Sequence, residues 1–254
     1  MVEIQRPLSV GGIVPNINIS RKVPFRGNLQ ADTFENRSIN RYTTEAAIKR
    51  MISPKVQNIV KPFNPQLELN MEELNELLQT HAADTKNISL GIIENLPFSL
   101  QNRVNTKAIE DAAYLHDLGK VLIPKTVLNK PAKLNENETK IMHTHSELSY
   151  ELLKNTDLDE TTLKLIRNHH QNAKKTGYPW VGKDFNADLN LQILSVADKY
   201  SALTEKRTYK EPMSAKQALT IISKDVKDGK LHPFVFKALV NYTNSINCPD
   251  LIKY

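Results

Sequence analysis

The sequence predicts an all-α fold, a bundle of amphipathic helices preceded by an irregular N-terminal arm. Three observations carry this prediction. From residue 71 onward, apolar residues recur at helical spacing in one segment after another. Alternating strand-like patterns are scarce, and capping or breaking residues fall where the periodic runs start and stop.

Taken in chain order, residues 1–40 show no sustained period and read as an arm. Thr44–Ser53 reads as a short helix with Thr44 as its N-cap. The stretch 54–70, punctuated by Pro54, Pro62 and Pro65, reads as a linker. The expected division is therefore an arm and linker over 1–70 and a helical domain over 71–254. Met71–Leu96 opens after Asn70, with Glu72 and Glu73 placed to complement the helix dipole. Thr106–Leu118 stops at Gly119, a residue suited to ending a helix. Glu138–Lys154, Glu160–His170, Leu189–Glu205, Ser214–Lys227 and Pro233–Asn244 complete the helices, with a longer loop over 171–188.

Composition narrows the function classes. With 254 residues, 40% apolar and 24% charged, the chain can bury a sizeable core and is not collagen-like, disulfide-rich or wholly disordered. No apolar run is long enough to predict a membrane-crossing helix. The N-terminus, with Glu3 and Arg6 and no apolar stretch, does not read as a secretory signal. The single cysteine, Cys248, has no partner for an internal disulfide, which together with the rest points to the cytoplasm.

The formal net charge of +6 raises the question of an anionic partner. Residues 1–70 hold ten Lys/Arg against five acids, so +5 of the +6 lies there and the helical domain is close to neutral. Arg21 and Lys22 lack the interleaved aromatics of a nucleic-acid surface, and no nucleic-acid partner is expected.

The histidines are more informative. His81 lies over Leu77 and Leu78, His145 over Ile141 and Met142, His169 over Leu165 and Ile166, and His170 over Ile166 and Leu163. His116 and Asp117 stand above Ala112 and Ala113, and Asp198 above Leu194 and Leu191. His143 is expected to face water, and His232, before Pro233, reads as a turn residue. A single inward histidine is ordinarily a satisfied core residue. Five of them joined by two inward aspartates are different, because buried carboxylates without a partner are costly and few inward Lys or Arg are at hand. A metal centre satisfies all seven side chains. Imidazoles with carboxylates suit divalent transition ions, Fe or Mn first, with Zn, Co or Ni as alternatives. Seven ligands exceed the needs of one ion, so two are expected, an arrangement that holds a bridging hydroxide and clamps phosphoryl oxygens.

These residues also carry a resemblance. His116-Asp117-Leu118-Gly119-Lys120 resembles the HD signature of metal-dependent phosphohydrolases. Ile123-Pro124, Asn129-Lys130-Pro131, Thr144-His145, His169-His170, Gly177-Tyr178-Pro179, Ala197-Asp198 and Arg207-Thr208-Tyr209 follow the order of the HD-GYP subfamily, bacterial phosphodiesterases of cyclic dinucleotides. The resemblance spans about residues 71–240 and implies metal ligands at His81, His116, Asp117, His145, His169, His170 and Asp198. It implies catalytic roles for Asp117, bridging the ions, and for Lys120, stabilising the attacked phosphate. Arg207 and Lys210 match residues that contact substrate phosphates in the family, Tyr178 is a further expected substrate contact, and Lys174 or Lys175 would add a contact outside the family pattern.

Three departures stand out. Leu77 occupies the position of a glutamate associated with a third metal in some members, so two metals are expected, with His170 lining the site or binding loosely. The family's acids are missing from His169–Pro179, where Lys174 and Lys175 stand instead. Ser201 replaces a second aspartate after Asp198. The implied function is hydrolysis of a cyclic dinucleotide such as cyclic di-GMP, with a protein partner at the Gly-Tyr-Pro loop or the arm. An HD phosphohydrolase of another nucleotide, or a catalytically weak sensor or interaction module, is the alternative. Trp180 either stacks a base or anchors its loop to the core.

Overall fold

The structure, a computed structural model, describes residues 40–205 and 211–247. Among these residues every regular element is helical, as the sequence predicts. In order they are α1 (Glu45–Met51), α2 (Pro54–Val60), α3 (Met71–Leu77), α4 (Ala83–Glu94), α5 (Phe98–Gln101), α6 (Thr106–Leu115), α7 (Lys125–Leu128), α8 (Glu136–Leu153), α9 (Glu160–Asn168), α10 (Leu189–Thr204), α11 (Ala215–Lys227) and α12 (Pro233–Asn247). A π-turn, Leu78–Ala82, joins α3 to α4, and a 3-10 turn, Leu118–Leu122, follows α6. No helix of the described residues is long and apolar enough to cross a membrane. The arm, apart from Asn40, lies outside the described residues, as do Arg207, Lys210 and Cys248.

Capping chemistry sets most boundaries. Asn135 accepts from Glu138 N while Glu138 Oε2 accepts from Asn135 N, a reciprocal box that starts α8 two residues before the predicted Glu138. Asp159, Asp188 and Ser214 cap α9, α10 and α11 in the same side-chain-to-backbone manner.

The linker expected over 54–70 is largely structured. Ser53 caps α2, Pro54 occupies its first turn, and Val56 and Val60 are fully buried in the common core. Proline here starts a helix rather than breaking one. Beyond α2, Asn64 Nδ2 donates to Leu122 O at 3.0 Å and Asn70 N donates to Val121 O at 2.9 Å. Those bonds tie this segment to the turn that carries the HD motif.

Helix α4 runs through the interior and packs on α6, α10 and α12. Gly91 permits the last of these contacts: a Cβ there would lie 2.1 Å from the Tyr242 ring of α12. The core around it is built from fully buried aliphatics such as Ile92, Ile109, Leu148, Ile166 and Ile193.

Candidate metal centre

Six elements bring the candidate ligands and Lys120 together. The π-turn supplies His81, the end of α6 and its 3-10 turn supply His116, Asp117 and Lys120, and α8 supplies His145. The end of α9 gives His169 and His170, and α10 gives Asp198. Gly119 makes the approach of the turn to α8 possible: a Cβ there would sit 2.2 Å from His145 O and 2.7 Å from Ser149 N. Its N–H instead donates to Ser149 Oγ at 2.8 Å.

Six of the seven side chains are buried, and His170 is partly so. Their reactive atoms converge. His81 Nε2 lies 3.0 Å from Asp198 Oδ1 and 3.7 Å from Asp117 Oδ2. His116 Nε2 is 3.3 Å from Asp117 Oδ2 and 3.7 Å from Asp198 Oδ1. His145 Nε2 is 3.2 Å from each of Asp117 Oδ1, His169 Nε2 and His170 Nε2. His170 Nδ1 is 3.6 Å from Asp198 Oδ2. Three groups have ligand atoms within 4.8 Å of one another: His145/His169/His170, His81/His116/Asp117 and His116/His169/Asp198.

Backbone contacts fix which ring nitrogens face inward. The Nδ1–H groups of His116, His145 and His169 donate to Ala113 O, Met142 O and Ile166 O at 2.9, 2.7 and 2.7 Å. In His145 and His169 the Nε2 is thereby left as a lone pair aimed into the site. Burial pushes His145 down to about 3 and His170 down to about 4, and drives His169 well below its ordinary value, so these rings are neutral at neutral pH. Burial works the same way on His116, yet the Asp117 and Asp198 carboxylates overcome it and push His116 up to about 10. Burial disfavours ionised Asp117, but Lys120 and His116 hold it well below the usual carboxylate range. Asp198 is held low against burial by His116 and His81.

The residues fit a cation. His116 Nε2 and Asp117 Oδ1 are buried with no hydrogen-bond partner, and neutral imidazole lone pairs face one another at 3.2 Å. Such atoms repel one another unless positive charge lies between them. His116 belongs to two of the three groups and His169 to two, so the three join into one cluster.

A cavity of about 720 Å³ opens over this cluster, lined in part by Lys120, Tyr178, Gln192, Lys199, Asp225 and Lys230. Lys120 Nζ donates to Asp117 Oδ2 at 2.6 Å. Tyr178 stacks on His143, with centroids 3.7 Å apart and planes 12° apart, and its ring also lies 4.5 Å from His170. Burial and the nearby carboxylates push the Tyr178 phenol up, so it stays protonated.

Other expectations fare differently. His143 is exposed, as helical phase predicts, but its ring supports Tyr178 rather than facing only water. Lys174 is exposed and does not line the cavity, because its side chain lies instead against Gly229, in the turn after α11. Trp180 is 86% exposed, which overturns the reading that it anchors its loop to the core. His232 sits in the turn before α12, its Nδ1 accepting from Phe234 N at 3.2 Å. Lys199 and Lys230 were missed by sequence reasoning. Lys199 is only about 100° around its helix from Asp198, which is the signal that could have found it.

A family model describing an HD domain matches residues 65–234. The "3'3'-cGAMP-specific phosphodiesterase 1" of Vibrio cholerae is 33% identical over 134 residues, covering 53% of this chain and 31% of its own length. The "cyclic di-GMP phosphodiesterase response regulator RpfG" of Xanthomonas campestris is 40% identical over 121 residues, covering 46% and 31%. The chain thus spans under a third of the length of these curated relatives. Among solved structures, Bd1817, an HDG"Y"P protein from Bdellovibrio bacteriovorus, superposes with a TM-score of 0.53 at 14% identity, covering 82% of this chain and 67% of that one. That likeness is one of fold. With the family match extending over well over half of its residues, the chain belongs to the HD-domain family.

Proposed function

We propose that the chain is a metal-dependent phosphohydrolase that cleaves a phosphodiester of a cyclic dinucleotide in the cytoplasm. The observation that carries this reading is the convergence of neutral imidazole lone pairs and two ionised, buried carboxylates on the floor of a large cavity. His81, His116, Asp117, His145, His169, His170 and Asp198 would hold two divalent transition ions, Fe or Mn first, with Zn, Co or Ni as alternatives. When bound, such ions supply Lewis acidity and a water activated near neutral pH.

The chain's own residues do the rest. Asp117 turns one oxygen toward His145 and the other toward His116 and Lys120, so this carboxylate would be placed to hold both ions. Lys120 projects from the Asp117 carboxylate into the cavity, where it can neutralise charge developing on phosphoryl oxygens. The protonated Tyr178 offers a phenol donor at the cavity wall, backed by His143. Lys199 and Lys230, with Arg207 and Lys210 from the segment outside the described residues, supply cationic contacts for a second phosphate. The names of the curated relatives support a cyclic dinucleotide as the substrate class. Trp180, exposed beside Pro179, supports a protein contact at this loop.

The test is incubation of Mn²⁺-loaded protein with a panel of cyclic dinucleotides, linear dinucleotides and mononucleotides. Turnover of at least one cyclic dinucleotide is expected. Hydrolysis confined to linear or mononucleotide substrates, or binding without turnover, would contradict the reading.

A further inference from the structure

Three of the inward histidines share one support, the main-chain carbonyl three residues earlier, which takes the Nδ1 proton. His81 does not follow this pattern. Its Nδ1 lies 3.1 Å from Ser201 Oγ and 3.6 Å from Glu205 Oε2. We propose that Glu205, acting with Ser201, is the positioning residue for His81, holding it in the tautomer that presents Nε2 to a bound cation. The inference rests on the metal-centre reading given above.

The chemistry of the two partners makes the carboxylate the deciding group. A serine hydroxyl can accept from an N–H or donate to a bare nitrogen, so Ser201 alone leaves the tautomer of His81 open. A carboxylate only accepts, and its negative charge favours a proton on the nitrogen facing it. At 3.6 Å the Glu205 contact is one of charge, while Ser201 Oγ, 3.1 Å from His81 Nδ1, is within hydrogen-bond reach and would accept from it in the proposed tautomer. The pocket is shielded: the side chains of His81 and Glu205 are 4% and 16% exposed, and Ser201 is buried. The field of the carboxylate is therefore weakly screened.

Placement reinforces the argument. Ser201 and Glu205 lie one helical turn apart, at the end of α10 and just beyond it, and so share a face. The same helix carries Asp198, whose Oδ1 is 3.0 Å from His81 Nε2. One helix thus grips the ring from both sides, in front through Asp198 and behind through Ser201 and Glu205. A carboxylate behind a ligating imidazole also raises its basicity toward a metal.

The test is Mn²⁺ titration of the metal-stripped full chain, reading free Mn²⁺ by its paramagnetic resonance signal. Glu205→Ala is expected to weaken the tightest site by about 10–100-fold, with the metal-free melting temperature unchanged. Adding Ser201→Asp, which returns a carboxylate to the atom already 3.1 Å from Nδ1, is expected to restore most of the loss. Should Glu205→Ala lower the metal-free melting temperature, Glu205→Gln, which keeps the shape and removes the charge, takes its place in the same comparison. Parent-like affinity in the single variant, or a double variant as weak as the single, would overturn the proposal. A parent chain that binds no Mn²⁺ would overturn the metal-centre reading itself, whereas a binding parent with an unaffected variant removes only the role of Glu205.

Discussion

Lys120 has two tasks that its contacts separate. Its ammonium neutralises Asp117, a carboxylate with almost no exposure, and it stands on the wall of the cavity. Under the proposed reaction, Lys120→Met should lower single-turnover hydrolysis by about 10²–10³-fold while metal content, measured on the same sample, stays at the parent value. Loss of metal together with activity would make Lys120 a structural partner of Asp117 and no more. At this scale much of the candidate site was legible, because a polar side chain on an apolar helical face contradicts its surroundings and can be seen in one dimension. The partners of His143 and Lys174 were not legible. Each depends on where the 171–188 loop folds back, which no helical period encodes.

The elements show which local signals decide boundaries. Periodicity placed the long helices, and capping moved their ends: α8 begins at Glu136 because Asn135 and Glu138 cap each other. The helix expected over Met71–Leu96 continues to Glu94, widened at Leu78–Ala82 by the π-turn that carries His81, a local widening that often accompanies functional sites. Helix α8 also offers a test of electrostatics away from the metal cluster. Glu151 is buried and paired with Lys55 Nζ and Lys154 Nζ, each at 2.8 Å. Burial works to raise its pKa, but the two lysines pull it below the ordinary value. A depressed carboxylate stabilises the fold above its unfolded pKa of about 4.3, and that stability is lost as pH falls through the folded value. Glu151→Gln should therefore cost about 1–2 kcal/mol in denaturant unfolding at pH 7, with the gap to the parent closing under acid conditions. A gap that is constant with pH would assign the effect to packing. Gly119→Ala acts on the fit between elements. Its Cβ meets backbone atoms of α8, so a loss of about 3 kcal/mol is expected, together with weakened metal binding as His145 is displaced. An unchanged melting temperature would show that the HD turn can yield.

For the whole molecule, the net charge of +6 is a poor guide to chemistry, since most of it belongs to the first 70 residues. Under the proposed reaction, the anionic substrate would meet a cavity of about 720 Å³ lined by His81, His145, His169, His170 and Asp198. Under the proposed metal centre, bound cations would stabilise the fold, because the cluster buries atoms that lack partners of their own. Metal at a hundredfold excess over its dissociation constant should add about 2.7 kcal/mol of stability, read as a rise in melting temperature that Asp117→Ala abolishes. The most direct test of the account is the metal-to-chain ratio of anaerobically purified protein. About two transition-metal ions per chain are predicted, falling away in Asp117→Ala along with hydrolysis. A parent ratio of one or none would contradict the proposed two-ion site.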